Sequence, residues 1–364
     1  MVSIIGSSFI KVDRYYELSE KDMVIEAFKQ LIIKLKELPP IDTIIVSSGY
    51  IDIISKSLLS ALKLSEGLGF RNCNVMRIEN GDNGAASLLT AYSLVKSQIS
   101  KAVMIIGVDK FADYPSKYIN DVIAYNLDNE TEYQYGLTPH VYAALMAKRY
   151  LKTRRLDYDY LAEWPLLMHE YASENPYAYL KFKVDRKTIM ESQVVAEPLR
   201  LFDIAARADG ASIVLVTSDD IANKYSDAPV KIEKIVSSSH KVDIISPSLP
   251  AVKEAFNKLN MKLNGNTLYD VHDSYSILAA LEIEALKLAN DSKPFENIRA
   301  FEINLSGGLK ARGYPGGATA IYQLAEAYMQ LTNTFPGRKS SAENSLILSA
   351  DDLGNSVYIT VLRR

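Results

Sequence analysis

A chain that carries the same pattern twice must fold so that both copies find equivalent surroundings. This 364-residue chain does so. Val24–Leu31 (VIEAFKQL) returns 228 positions later as Val252–Leu259 (VKEAFNKL), and at the same offset Val2–Phe9 faces Val230–Ser237. An offset of 225 aligns Thr43–Tyr50 with Leu268–Tyr275 and Val75–Glu79 with Ala300–Asn304. Further on, Ala102–Asp109 resembles Asn344–Asp351, and Ser212–Ser218 resembles Ser356–Leu362. One short apolar match means little, but six in the same order with nearly constant spacing indicate a duplicated unit.

Each half reads strand, helix, strand, helix, strand, helix, strand, strand. The helices rest on apolar recurrence every three to four residues, as at Val24, Phe28, Leu31 and Ile32. Ser19 before Glu20 and Asp22 starts the first helix, and Pro39-Pro40 ends it. The strands are nearly continuous apolar runs, as expected where helices cover both faces of a sheet. Two such halves predict a layered α/β architecture of stacked sheets and helices. The first half carries an extra stretch where the second has a few residues. The chain is therefore expected to divide into residues 1–109 plus 210–228, an inserted loop domain 110–209 (with a helix predicted from Val141 to Tyr150), and a C-terminal half 229–364.

Apolar residues are 48% of the chain, enough for a sizeable core, and a formal charge of −3 gives no general attraction to nucleic acid or an anionic membrane. The single cysteine, Cys73, excludes an intramolecular disulfide. The histidines at 140, 169, 240 and 272 have no metal-ligand spacing. No uncharged apolar run approaches the roughly 18 residues of a membrane helix, and the first residues read as a strand. A soluble, cytoplasmic protein is the expectation.

In both halves the third strand runs into a glycine-rich turn that opens a helix: Glu79–Ala86 leading into Leu88–Val95, and Ser306–Thr319. Helix starts present unpaired N–H groups and stabilise anions or developing oxyanions. Pseudo-symmetry would let the two turns converge on one site; glycines that merely permit tight turns and close packing are the plainer explanation.

These turns are also where the chain resembles the thiolase superfamily, most closely the sterol-carrier-protein-x type and the archaeal acetyl-CoA acetyltransferase-like proteins. Asn304–Thr319 (NLSGGLKARGYPGGAT) is similar to the family's NPSGGLxxxGHPxGAT segment, and His272-Asp273-Ser274-Tyr275 to its HDxF element. Gly107–Phe111 resembles G-x-E-K-M, Ser192–Leu199 with Asp203 and Asp209-Gly210-Ala211 the segment re-entering the core, and His169 through Asn175-Pro176 the loop-domain pattern HxxxxxNP. The resemblance implies the thiolase fold, with βαβαβαββ halves in a five-layered αβαβα sandwich and an inserted loop domain. It also implies a homodimer built by the long third helices, and a coenzyme A thioester as ligand, with no tightly bound cofactor and no metal. His169, Ser306, Gly307 and Gly308 become candidates for the CoA and acyl pocket. The basic run Lys148-Arg149, Lys152, Arg154-Arg155 is a candidate for the adenine end or a solvated helix face.

Departures from the pattern limit the chemistry. Counting back three from Gly84 puts Gly81 where the family keeps its nucleophilic cysteine, with Asp82 and Asn83 beside it. Tyr314 stands for the GHP histidine, and the second cysteine maps near Ser349-Ala350. His272 alone remains of the customary polar set. Cys73, before the third strand, reads as a structural thiol. Covalent acyl transfer needs a nucleophile, so conventional acetyl-CoA acetyltransferase chemistry is not expected. A retro-aldol cleavage of a 3-hydroxyacyl-CoA needs none. There Tyr314 is the candidate acid/base, its phenol lowered by neighbouring dipoles, or else it fills the vacated pocket and hydrogen-bonds locally; His272 is the candidate donor to the thioester oxygen, and Tyr275 a packing residue or a second proton donor. Asp82 is expected to complement the helix start as a stabilised carboxylate. Tyr314 also resembles the tyrosine of thiolase-like aldol lyases, which work with an OB-fold partner of the DUF35 type. The alternative is a non-catalytic thiolase-like scaffold or acyl-CoA-binding subunit of a larger complex.

Overall fold

The computed structural model describes residues 1–244, 246–263, 266–289 and 293–364. The first half runs β1 (Val2–Phe9), α1 (Glu20–Lys34), β2 (Thr43–Ser47), α2 (Ile51–Ile54), α3 (Ser60–Gly67), β3 (Asn74–Ile78), α4 (Asn83–Lys96) and β4 (Ala102–Asp109). After β4 come α5 (Ser116–Ala124), α6 (Pro139–Arg154), α7 (Glu163–Ala172), α8 (Arg186–Glu191) and the small hairpin β5 (Val194–Ala196) and β6 (Leu199–Arg200). Then β7 (Gly210–Ser218) and α9 (Asp219–Tyr225) complete the first half. The second half runs β8 (Val230–Ser239), α10 (Pro250–Leu259), β9 (Thr267–Asp270), α11 (Ser276–Ala285), β10 (Glu302–Ile303), α12 (Thr319–Leu331), β11 (Asn344–Ala350) and β12 (Ser356–Arg363).

The order of paired strands, β10-β9-β11-β12-β8-β1-β7-β4-β2-β3, reads the same from either end once the halves are matched. The centre is the antiparallel contact Ser3–Lys231, between residues 228 apart, where a pseudo-twofold axis must pass. A finer mark of duplication is a β-bulge. In β1 the pairing to β7 skips Ile5, and in β8 the pairing to β12 skips Glu233, again 228 residues on. A bulge adds local twist and re-aims the strand, so its recurrence means that both halves bend alike.

Two alignments need correcting. With Phe9 opposite Ser212 and Ser237 opposite Tyr358, Ser212 is equivalent to Tyr358, two residues beyond Ser356. A slip of two leaves every side chain on its own face, so apolar alternation cannot detect it. Likewise Asn74 pairs Thr43 while Glu302 pairs Leu268, which makes the third strands 228 apart and not 225. The two residues of β10 are too few to carry an alternation.

Alternate residues of the first-half strands pack on opposite faces. Ile44, Val46, Ile106 and Ile213 meet α1 and α3, whereas Ile45, Val103, Ile105 and Val214 meet α4 and α12. The buried helix α12 also packs on β11, while α10 lies on the far face of β8 and β12 with α11 beside it. That gives the layer order αβαβα, with α4 and α12 in the middle. Ser19 caps α1 in a reciprocal capping box with Asp22, as its sequence position indicates. The helix after the first glycine turn begins at Asn83, five residues before Leu88, because Asp82 caps it.

The segment between β4 and β7 rides on the C-terminal half. Trp164 of α7 donates from Nε1 to Asp273 (2.9 Å), and α6 and α7 pack on α11. Arg154 of α6 pairs with Glu284 of α11 at 3.0 Å, which explains one member of the basic run by packing. Close approach here needs glycine. At Gly308 (φ +59°) a Cβ would lie 2.3 Å from an oxygen of Asp273. Gly308→Ala is therefore expected to destabilise the fold by about 2–4 kcal/mol, combining left-handed strain with overpacking, as a lowered denaturant midpoint at unchanged slope would register. No helix among the described residues is long and apolar enough to cross a membrane.

Candidate active site

The two glycine turns do meet. The starts of α4 and α12 cross where a Cβ on Gly84 would lie 2.9 Å from the Cβ of Ala320. A cavity there is lined by Gly81, Asp82 and Asn83 from the first turn and by Tyr314, Gly316 and Gly317 from the second, together with Tyr50, Asn126, Ala350 and Asp352. Asp109 clamps the crossing. Its carboxylate accepts from Ser48 Oγ (2.6 Å) and the N–H groups of Gly49 and Tyr50, then from Gly317 N–H (2.6 Å) in the other half.

Tyr314 is held by partners from two parts of the chain, Ala206-Arg207 and Asp352. Its N–H donates to Ala206 O at 2.9 Å, which brings the end of the inserted segment alongside. Its hydroxyl donates to Asp352 Oδ1 at 2.7 Å. Arg207 reaches both oxygens of Asp352, at 2.8 and 2.7 Å, and lies over the Tyr314 ring at 4.4 Å. Burial would raise the Asp352 carboxyl, but Arg207 and the Tyr314 hydroxyl more than offset it and hold it below the usual range. Burial works against the charge of Arg207 too, and Asp352 overcomes it. For Tyr314, burial and the charge of Asp352 push the phenol well above its ordinary value. The expectation of a lowered phenol is thus overturned: the dipoles of the helix start are outweighed by lost water and an adjacent carboxylate.

His272 follows β9 and is fully buried, and burial pulls it down to about 4. Its ring meets that of Tyr314 edge-on at 5.5 Å. Neither ring nitrogen has a hydrogen-bond partner among the described residues, although Nδ1 lies 3.8 Å from Asp82 Oδ2. Buried polar atoms are almost always paired, so this ring marks where a further polar group belongs. Asp82, the α4 N-cap, accepts from Ala85 N–H at 2.9 Å. Burial outweighs this bond and that from Gly84, pushing the carboxyl up to about 7. The stabilised carboxylate expected at this helix start is therefore overturned as well: the helix end is inside the protein, and desolvation exceeds the dipole.

Gly81 itself has φ +59°, and a Cβ there would lie 2.6 Å from Ser356 Cβ and 2.7 Å from its Oγ. Cys73 sits at the start of the edge strand, near Ser65, away from this cavity. Ala350 lines the cavity, while Ser349 turns away to Gln323. Asn83 takes the N–H of Asn80 at 2.7 Å and shapes the turn. Tyr275 shares a 2.9 Å hydrogen bond with His140.

Four expected site residues lie elsewhere. His169 of α7 donates from Nδ1 to Phe182 O (3.0 Å), and burial and nearby Lys310 lower it to about 4. The carbonyl of Ser306 accepts from Asn175, and a Cβ on Gly307 would lie 2.6 Å from Ala172. The structure gives Gly307 and Gly308 a packing reason and puts none of the four on the cavity. Conversely, Tyr50, Asn126, Arg207 and Asp352 were not anticipated. Arg207 and Asp352 had one available signal, a lone cation in Ile204–Ala208 and an acid directly after the mapped strand end; Tyr50 and Asn126 had none.

The cavity has room for about one water, about 20 Å³. Asn126 also lines a cleft of about 500 Å³ that Tyr142, Lys241 and Ser356 share, so the small cavity adjoins a larger one. The described residues hold no group of histidine, cysteine and acidic side chains that could bind a metal ion.

Residues 234–364 match the family described as thiolase C-terminal domain-like. The chain is 31% identical to an acetyl-CoA acetyltransferase of Methanothermobacter thermautotrophicus over 100% of this chain and 99% of that one. Among solved structures, the Ltp2-ChsH2(DUF35) aldolase superposes with a TM-score of 0.82 at 16% identity, covering 99% of this chain and 97% of that chain. The Acat5 thiolase of Ascaris suum in complex with coenzyme A gives 0.75 at 13%, covering 100% and 99%. Similarity of this extent to a whole acetyltransferase chain, on this fold, means that the chain belongs to the thiolase superfamily.

Proposed function

We propose that this protein cleaves a carbon–carbon bond in a 3-hydroxyacyl thioester of coenzyme A by a retro-aldol reaction, with Gly81 at the seat of the superfamily's nucleophile. The observation that carries this reading is the pair of facts at the crossing of α4 and α12. Space beside Gly81 is taken by Ser356, leaving no room for a nucleophilic side chain, while Tyr314 lines the cavity. A phenol held well above its usual value gives its proton only to a strongly basic atom. The enolate carbon left when the bond breaks is such an atom, so Tyr314 serves as the acid that protonates C2, and Arg207 over its ring stabilises the transient phenolate. Neutral His272 has a nitrogen to spare for the thioester oxygen, and one positioned donor to a developing enolate is worth about 3–4 kcal/mol. A homodimer, and an OB-fold partner of the DUF35 kind named with the Ltp2 aldolase, are part of this proposal.

A second reading, a non-catalytic acyl-CoA-binding subunit, is favoured by the size of the cavity, which is smaller than a thioester group. Titration calorimetry and turnover with a panel of acyl-CoA and 3-hydroxyacyl-CoA thioesters separate the two. Cleavage that drops at least 100-fold in Tyr314→Phe, with thioester binding kept within threefold, is the expected result. Binding without turnover leaves the subunit, and neither binding nor turnover leaves a structural role.

A further inference from the structure

The lyase reading assigns the acid and leaves the hydroxyl proton without an acceptor. Tyr314 already donates to Asp352, and Asp352 is neutralised by Arg207, whose Nη2 bonds both carboxylate oxygens. His272 is neutral and poorly basic in its dry surroundings. Of the two carboxyls on the cavity, that of Asp82 has no cation against it among the described residues.

We propose that Asp82 is the general base of this site, taking the proton of the substrate's C3 hydroxyl from the position directly after Gly81. This rests on the lyase reading. Asp82 lines the same cavity as Tyr314 and Asp352, and as the cap of α4 it is fixed by the Ala85 N–H on Oδ1. Its Oδ2 faces His272 Nδ1 at 3.8 Å, beyond a hydrogen bond, so neither group uses up the other. His272 supplies the independent sign of a ligand here, a fully buried ring with both nitrogens unpaired among the described residues. The groups around Asp82 from the other elements are Asp351 after β11, which disfavours its charge, Tyr358 of β12, and the Tyr314–Asp352–Arg207 array. Burial dominates them, and the carboxyl gains its proton near neutrality, where a general base works best. Two carboxyls on one cavity, Asp82 pushed up and Asp352 held down, divide the labour.

The proton balance closes without a co-reactant. Asp82 removes the O–H proton as the C3 carbonyl forms and the C2–C3 bond breaks. The bond's electron pair becomes the thioester enolate, C2 takes the Tyr314 proton, and protonated Asp82 restores the phenol by returning a proton across the cavity the two residues share. The hydroxyl proton thus ends on C2.

Asn is as good an N-cap as Asp, so Asp82→Asn keeps the helix start and removes only the titrating group. The expected result is a loss of 100-fold or more in kcat with thioester binding within threefold and a melting temperature no lower than that of the wild type, since a neutral side chain is spared the cost of a buried charge. The wild-type pH profile should show an ionisation near 7 that disappears in the residual rate of Asp82→Asn. Asp82→Glu should recover part of the loss. Cleavage by Asp82→Asn within threefold of wild type overturns the base and leaves the lyase reading standing. Absence of cleavage by the wild-type protein overturns both.

Discussion

Arg207→Met is expected to destabilise the protein by about 3–5 kcal/mol, the usual result of removing one partner of a buried ion pair. Arg207 is the cation that holds Asp352 charged, and Asp352 is almost wholly inaccessible, its side chain 3% exposed. Without the guanidinium the carboxylate faces a medium in which burial alone raises it, so it takes up a proton. Its bond from Tyr314 then joins two neutral groups, and the ring loses the cation stacked on it. The double variant Arg207→Met with Asp352→Asn removes both charges and should recover most of the loss. Chemical unfolding of the four proteins in the cycle measures this coupling. An Arg207→Met protein as stable as wild type would mean that the array contributes nothing to the fold.

Stability is expected to fall as pH rises from 6.5 to 8. Burial pushes Asp270 up to about 8, Asp82 and Asp273 up to about 7, and Asp109 up to about 6. A carboxyl raised in the folded state binds its proton more tightly there than when unfolded. Its contribution is complete below the unfolded value of about 4 and is lost as pH passes the folded value. Buried His140, His169 and His272 work the other way, since each is lowered to about 4. They weaken the fold as pH drops below about 6.5, where unfolded histidine gains its proton. Between about 4.5 and 6 the two sets oppose each other and the profile flattens. Above 6.5 the carboxyls act with little opposition until Lys310, lowered to about 8, begins to lose its proton in the fold. A tenfold change in proton affinity is about 1.4 kcal/mol, so a decline of about 2 kcal/mol or more is expected over this window. Melting temperatures at pH 6.5, 7.2 and 8 measure it, and Asp270→Asn should flatten the slope. A melting temperature that rises from pH 6.5 to 8 would contradict the burial of these acids in protonated form.

The duplication was legible because apolar strands repeat in order. The repeated bulge at Ile5 and Glu233 was not, since a bulge changes pairing and leaves composition alone. The meeting of the glycine turns followed from symmetry, and Gly81, Asp82, Tyr314 and His272 do come together around it. The protonation of Asp82 and Tyr314 is the reverse of what their places at helix starts imply. Helix-end dipoles can be inferred from local sequence, whereas the depth of burial that outweighs them depends on α12, β11 and the chain around Arg207.

Residue order alone determined the twofold α/β plan, the turns that open α4 and α12, and the absence of a cysteine at the Gly81 turn, because these are local patterns. Folding decided that Ser356 takes the space beside Gly81, that Arg207 and Asp352 hold Tyr314, and that His272 stands beside Asp82 with no hydrogen-bond partner among the described residues. Those contacts join residues far apart in the chain, and the electrostatics they create depend on excluded water, a property of the packed interior that no short stretch of sequence contains.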